Sequence, residues 1–284
     1  MRQDFRQCAA AGAFNTGVTP CPLQPDKVSG VILVTHGQKL PAELTAENLM
    51  EACHADYPGR IYPILGVEEY AVNGGEANTS ATGYGANKIT GYSARTDSFT
   101  LGKYNMSLKA CVTRAKSTQL DMYVFDYNNV IYGMDDGTDV LSGIPLSGIY
   151  ITGQEFTSSS QAAQMIFNAM LSDVEKYMMN ASVRTANFDI SSALKGLVFV
   201  EFVEQTDGEN KYKLIEHFER LDMTPYYGEL LKTAATEVLD PSTITAVQYD
   251  AAAGVLTMTG EGTPTLKSPS VLYENDITGI EQWS

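Results

Sequence analysis

Three histidines and four cysteines are the side chains best able to do nucleophilic, acid–base or metal chemistry here, and their spacing gives them little help. His36 closes the apolar run Val31-Ile32-Leu33-Val34-Thr35, a place where a general base could stand. No G-x-S-x-G turn presents a serine to it, so a structural strand-end histidine is expected. His54 ends a helical stretch, where the helix dipole favours it, and His217 falls within an alternating strand and is assigned no role. Cys8, Cys21, Cys53 and Cys111 have no paired short spacing, and the adjacent Cys53 and His54 cannot easily share one ion. Reduced thiols of a cytosolic chain, without metal, are the expectation.

Two further runs invite a chemical reading. Thr82-Gly83-Tyr84-Gly85-Ala86-Asn87-Lys88-Ile89-Thr90-Gly91 combines glycines with Lys and Thr, but a phosphate cradle needs Gly-Lys-[Ser/Thr] directly before a helix. Here Asn87 precedes Lys88 and a strand-like run follows, so a flexible loop is expected. It belongs to a longer stretch, residues 73–91, with few large apolar side chains, which a compact domain seldom orders by itself. Asn73, Gly74, Gly75, Gly83, Gly85 and Gly91 are therefore candidates for an inter-subunit arm. Met134-Asp135-Asp136-Gly137-Thr138-Asp139 offers three carboxylates, but without the alternating ligands and closing Glu of a twelve-residue calcium loop it reads as an acidic turn. Glu68-Glu69 and the pair Asp173 and Glu175 read as solvated faces. No catalytic constellation emerges; neither an enzyme nor a cofactor is expected.

The elements that must position these residues are mostly strands. Apolar or alternating runs bounded by Gly and Pro predict strands at Val28–Thr35, Ile61–Val72, Leu120–Phe125, Val130–Tyr132, Leu146–Thr152, Gln161–Leu171, Gly196–Gln205 and Lys211–Phe218. Leu120–Phe125 and Val130–Tyr132 read as a hairpin, and Thr206–Asn210 as a turn joining the last pair. Thr45 can cap a helix from Ala46 to Cys53, and the run from Lys103 to Lys116 carries the best helical spacing. Weaker helices are expected over Gln3–Ala11, Asp189–Leu194 and Tyr226–Ala235. After Thr236 three short strands, Ile244–Tyr249, Val255–Thr259 and Val271–Tyr273, read as a small β appendage that docks on something, because so short a segment is marginal for a core of its own. The expected division is thus residues 1–236 and 237–284.

The chain of 284 residues has 19 Lys and Arg against 34 Asp and Glu, a net charge of −15, so nonspecific binding to the outside of a DNA duplex is disfavoured. With 19% charged residues its polar surface must consist largely of Ser, Thr, Asn, Gln and Gly. The imbalance is uneven: residues 201–284 hold 15 acids and 5 bases, which hints at a boundary. No apolar run reaches membrane-spanning length and the first residues lack a signal-peptide core, so a soluble protein with no membrane partner is expected.

An ordered series of short motifs carries a resemblance. Met1-Arg2-Gln3-Asp4-Phe5, Phe14-Asn15-Thr16-Gly17, Cys21-Pro22-Leu23, Val31 to Gly37, Cys53-His54-Ala55-Asp56, Arg60-Ile61-Tyr62-Pro63, Gly91 to Asp97 and Tyr132 to Asp139 resemble structural proteins of tailed bacteriophages and prophages of gut bacteria. The resemblance covers roughly residues 1–175. It implies a virion component, tail-tube-like: a mainly β, α+β fold with a β-sandwich or barrel, one flanking helix, and long arms at 12–30 and 73–91. It implies self-association into rings or tubes, contact with other tail or neck proteins, and transient passage of DNA without specific binding. In that setting Glu68, Glu69, Asp135, Asp136 and Asp139 become candidate lumen acids, since a negative wall repels phosphate. A head, neck or capsid-auxiliary protein is the nearest alternative. A carbohydrate-binding β module is suggested by 16 tyrosines, although the solitary Trp283 at the C-terminus weakens it, and an unrecognised enzyme is the last alternative.

Overall fold

The computed structural model describes residues 5–6, 25–81, 83–153, 156–206 and 209–283. Cys8, Cys21 and most of the arm expected over 12–30 lie outside the described residues. The fold is mainly β with short helices. The chain divides into two compact units, Met1–Met50 with Ile61–Leu194, and Glu51–Arg60 with Lys195–Ser284.

The first unit holds strands β1 (Phe5–Arg6), β2 (Val28–Thr35), β3 (Ile61–Leu65), β4 (Val67–Gly74), β5 (Ala77–Ser80), β6 (Lys88–Tyr92), β7 (Arg95–Leu101), β8 (Leu120–Asp126), β9 (Val130–Met134), β10 (Ile144–Thr152), β11 (Met165–Leu171) and β12 (Ala181–Thr185). Its helices are α1 (Ala46–His54), which runs across the division at Met50, α2 (Met106–Arg114), α3 (Val174–Asn180) and α4 (Ile190–Ala193). β8 is the hub: β2 pairs along its length, while β9 and the start of β10 pair with it elsewhere. β10 then leaves β8 and continues into the order β10-β11-β7-β4, so one strand serves two parts of the sheet. Inward side chains from both parts meet in one core, with Val31, Met122, Phe99 and Phe167 fully buried. That β2 and β8 are buried on both faces explains why they read as unbroken apolar runs. Gly30 has a packing reason: a Cβ there would overlap the Phe125 ring and the Ile64 carbonyl.

Local chemistry fixes the turns. Asp126, almost fully buried, accepts from the Asn128 and Val130 amides with Oδ1 and from the Asp26 amide and the Tyr132 hydroxyl with Oδ2. This closes the expected β8–β9 hairpin, with Asn129 at positive φ. Helix α1 is capped as expected, Thr45 Oγ1 accepting from the Asn48 amide at 3.1 Å. Helix α2 starts three residues later than its apolar spacing suggests, because Asn105 accepts from the Leu108 amide and makes the cap. Asp173, expected on a solvated face, caps α3 in the same way. The expected strand over Ile61–Val72 breaks at Gly66, and Phe5–Arg6, expected in a helix, pairs as β1 with β12.

The second unit contains β13 (Val198–Glu204), β14 (Lys211–Glu216), β15 (Leu239–Asp240), β16 (Ala246–Asp250), β17 (Val255–Thr259), β18 (Thr265–Leu266) and β19 (Ile280–Gln282), with α5 (Thr224–Thr233), α6 (Ala235–Val238) and α7 (Pro269–Glu274). Five strands form one sheet in the order β16-β17-β14-β13-β19. The break expected at 236/237 therefore falls inside α6, and strands on either side of it share a sheet and a core. Val271–Tyr273, expected as a strand, lies in α7, which Pro269 opens at its first turn. His54 is buried in this unit: its Nε2 accepts from the Gly279 amide at 2.9 Å and its ring stacks on Tyr273. Beside it, burial pushes the Cys53 thiol up to about 11, against a backbone hydrogen bond from Lys195 that pulls it down, so this thiol is a packed hydrophobe and not a nucleophile. Among the described residues neither Cys53 nor Cys111 forms a disulfide.

Candidate functional site

β4 ends its sheet, so among the described residues no strand pairs with its outer edge. After Val67 every residue of β4 is exposed. An edge of that kind presents unpaired amides and carbonyls to any strand that meets it, and soluble monomers usually blunt it with charge, Pro or a cover. Here the edge carries exposed Glu68 and Glu69 at its start and apolar Tyr70 and Val72 beyond them, the last two at 37% and 46% exposure.

The candidate arm residues extend this edge. β4 and β7 pair from Val67–Leu101 out to Gly74–Arg95, and beyond them β5 and β6 pair from Ala77–Tyr92 to Ser80–Lys88. Residues 73–91, expected as a flexible loop, are thus the distal half of one long hairpin, and they pair with each other without a neighbouring chain. Asn73 and Gly74 close β4, Gly75 follows at the bend, Gly83 and Gly85 lie near the tip, and Gly91 lies in β6. At the bend, Gly74 has φ +78° and its position leaves no room for a Cβ beside the Ala94 carbonyl. The distal half is exposed, with Ile89 at 63% and Tyr84 fully open.

Two networks hold the base of the hairpin. On the inner face Arg95 Nε and Nη2 donate to the two oxygens of Asp97 at 2.7 and 3.0 Å, and Tyr70 donates its hydroxyl to Asp97 Oδ2 at 3.1 Å. Tyr177 of α3 lies under the Arg95 guanidinium, 5.1 Å from ring centre to carbon. Burial and the Asp97 charge push the Tyr70 hydroxyl far above its ordinary range, which keeps it a donor. On the outer face a chain of hydrogen bonds crosses four strands. Asn73 donates to Ser98, Ser98 to Asn168 Oδ1 at 2.8 Å, and Asn168 Nδ2 to Thr152 at 3.0 Å. Strands β4, β7, β10 and β11 contain one basic residue, Arg95, and it faces inward in its pair with Asp97. Their outer face consequently carries no cation: Thr, Ser and Asn share it with Tyr150, Ile166 and Met170, and Glu69 stands at one margin.

The candidate lumen acids fall in two places. Glu68 and Glu69 are exposed on β4, Glu68 lying over Gly102. Asp135, Asp136 and Asp139 are in the turn after β9. Asp136 is committed there: Lys39 pairs with it at 2.6 Å, and Thr138 and Ser142 donate to it. Burial raises its proton affinity, but those donors together outweigh it and hold the carboxyl well below the usual carboxylate range. Its charge is therefore largely balanced locally, whereas Glu68 and Glu69 keep theirs.

His36 Nδ1 lies 2.7 Å from Asp121 Oδ1, whose other oxygen accepts from the Gly37 amide, and among the described residues no nucleophile hydrogen-bonds to His36. Among the described residues no three His, Cys, Asp or Glu side chains gather closely enough to hold a metal ion, and no helix is long and apolar enough to cross a membrane. Sequence reasoning missed β7 and the pair Arg95–Asp97. The i, i+2 spacing of opposite charges was the available signal.

The chain matches no protein-family model and no curated protein. Among solved structures it is similar to the cap that terminates the tube of an anti-feeding prophage, determined by cryo-EM, at 10% identity and a TM-score of 0.28, over 63% of this chain and 100% of that one. At that TM-score the likeness carries neither fold nor function across.

Proposed function

We propose that this chain is a self-assembling virion structural protein, tail-tube-like, in which the β4 edge and the β5–β6 hairpin join one copy to the next. The observation that carries the reading is an uncovered edge strand, apolar at Tyr70 and Val72, extended by an equally exposed hairpin, in a chain whose motif series resembles tail proteins. Strand addition would extend the sheet from copy to copy and, once closed, leave no edge exposed. Assembly would take place in the host cytoplasm and the product would be part of the virion, in contact with other tail or neck proteins.

The outer face of β4, β7, β10 and β11 suits a conduit wall. It offers neutral side chains, Thr, Ser and Asn with Tyr150, Ile166 and Met170 among them, and no cation, so it gives a passing duplex no phosphate contact to release counterions against. Glu68 and Glu69 add repulsion at its margin; Asp136, paired with Lys39, adds little.

Two results are expected. Replacing Val72 and Ile89 with Lys should leave the thermal transition nearly unchanged, because both are exposed. Sedimentation velocity should then show a shift from assembled to single-copy protein at the same concentration; unchanged assembly would remove β4 and the hairpin from the interface. Replacing Thr96 and Thr100 of β7 with Lys should leave assembly intact and make the assembled protein retain DNA at low salt, with retention lost as salt rises. Retention that is absent at low salt would place this face away from the conduit.

A further inference from the structure

The outer face of the second unit's sheet carries a cluster that neither the assembly reading nor the chain's packing core uses. Trp283, the one tryptophan of the sequence, continues β19 and donates its backbone amide to the Val200 carbonyl at 2.8 Å. Its indole stacks on His217 with centroids 4.0 Å apart and planes 16° from parallel. Phe199 and Phe218 meet it edge-on, at 5.2 and 5.3 Å. Phe199 and Trp283 lie on neighbouring strands, since β13 pairs in parallel with β19. All four rings remain part-exposed in the folded chain.

Polar groups border these rings. Glu201 accepts from Arg220 with one oxygen and lies 3.1 Å from His217 Nδ1 with the other. Burial favours the protonated acid, but these two partners outweigh it and hold the Glu201 carboxyl below its ordinary range. Arg220 spends one N–H on Glu201, stays 55% exposed, and has four further donors on a rigid fork. Each Glu201 oxygen likewise keeps a second lone pair. The border thus offers adjacent donors and acceptors, pre-oriented by an ion pair whose net charge is near zero.

We propose that this cluster is a binding site for a neutral pyranose sugar. The face of an indole or phenyl ring is the negative end of its quadrupole and attracts the weakly positive C–H face of a pyranose, while a carboxylate and a guanidinium side by side match vicinal hydroxyls that both donate and accept. Other ligand classes fit less well. A nucleic acid meets a unit with 17 acids against 7 bases, and an apolar peptide would have to strip water from Glu201 and Arg220 without replacing its hydrogen bonds. Trp283 is moreover anchored by its amide and its stack, which meets the requirement of a ring presented on an ordered surface.

The single tryptophan makes the test direct. The full-length protein is titrated with methyl glucoside, methyl galactoside, N-acetylglucosamine and a hexasaccharide of each, following Trp283 emission. At least one sugar should give a saturable change with Kd on the order of 1 mM or tighter. A hexasaccharide preferred over its monomer identifies a surface polysaccharide as the source, and equal binding identifies free sugar; either supports the site. Arg220→Asn, chosen because Arg220 sits at φ +60° where Asn is tolerated, should weaken binding about tenfold without moving the urea midpoint. Glu201→Gln should do the same. No saturable change with any sugar, or a change undiminished in both variants, overturns the assignment, as does an equal response to an apolar peptide. Because the readout needs no assembled protein, its failure would leave the tube reading untouched, and failure to form rings would leave this site untouched.

Discussion

Ending the chain after Val238 should abolish the cooperative unfolding transition of the second unit and leave that of the first in place. The cut removes Leu239, Ile244, Val247, Leu256, Met258, Leu266, Leu272, Ile277 and Ile280, nine of the fifteen buried residues of that unit's core. At about 1.5–3 kcal/mol for each large apolar side chain, the loss exceeds the roughly 5–15 kcal/mol by which a whole domain is stable. It also strips β17 from β14 and β19 from β13, so the remaining two strands have no sheet to join. Two separable transitions in the intact protein, reduced to one in the truncated form, would be seen by calorimetry. A truncated chain that keeps both transitions would mean that residues 239–284 are an appendage after all.

Asp97→Ala should destabilise the first unit by about 3–5 kcal/mol, because it leaves the Arg95 guanidinium facing the core without its partner. Arg95→Met combined with Asp97→Leu should recover most of that loss, since a buried ion pair replaced by apolar groups of similar size costs little. The double variant separates two roles of the pair. If Arg95 and Asp97 orient the hairpin, the double variant should recover thermal stability but assemble poorly, because Tyr70 and Tyr177 lose the groups they hold. Full recovery of both would assign the pair to core stability alone. Equal damage in the single and double variants would contradict the account of the pair altogether.

What could be read from the residues followed from how local the cause was. β2 and β8 announced themselves as apolar runs, and Thr45 and Asp189 sit where helix caps should be. β7 hid because Arg95 and Asp97 occupy inward positions, so a run that is half buried did not alternate in polarity. Val271–Tyr273 misled because three apolar residues cannot distinguish a two-residue from a 3.6-residue period; Pro269 just before them decided for a helix. The unit boundary was invisible for a different reason. Acid-rich texture changes near residue 201, but membership of the sheet depends on pairings such as Lys211 with Thr257 and Val198 with Ile280, which no local pattern encodes. Residues 73–91 stood out by their glycines, while their internal pairing, with polar Asn78, Thr79, Ser80 and Lys88 among its partners, gave no apolar alternation to read. The aromatic cluster was missed because His217, Phe199 and Trp283 are distant in sequence and meet only through β13 and β19.

The central claim is that copies of this chain join through the β4 edge and its hairpin into closed rings, and negative-stain imaging of the purified protein across a concentration series tests it most directly. The account predicts rings of uniform diameter, or tubes of stacked rings, that disappear in the variant with Val72 and Ile89 replaced by Lys. Single separate particles at every concentration, or rings that persist unchanged in that variant, would contradict it.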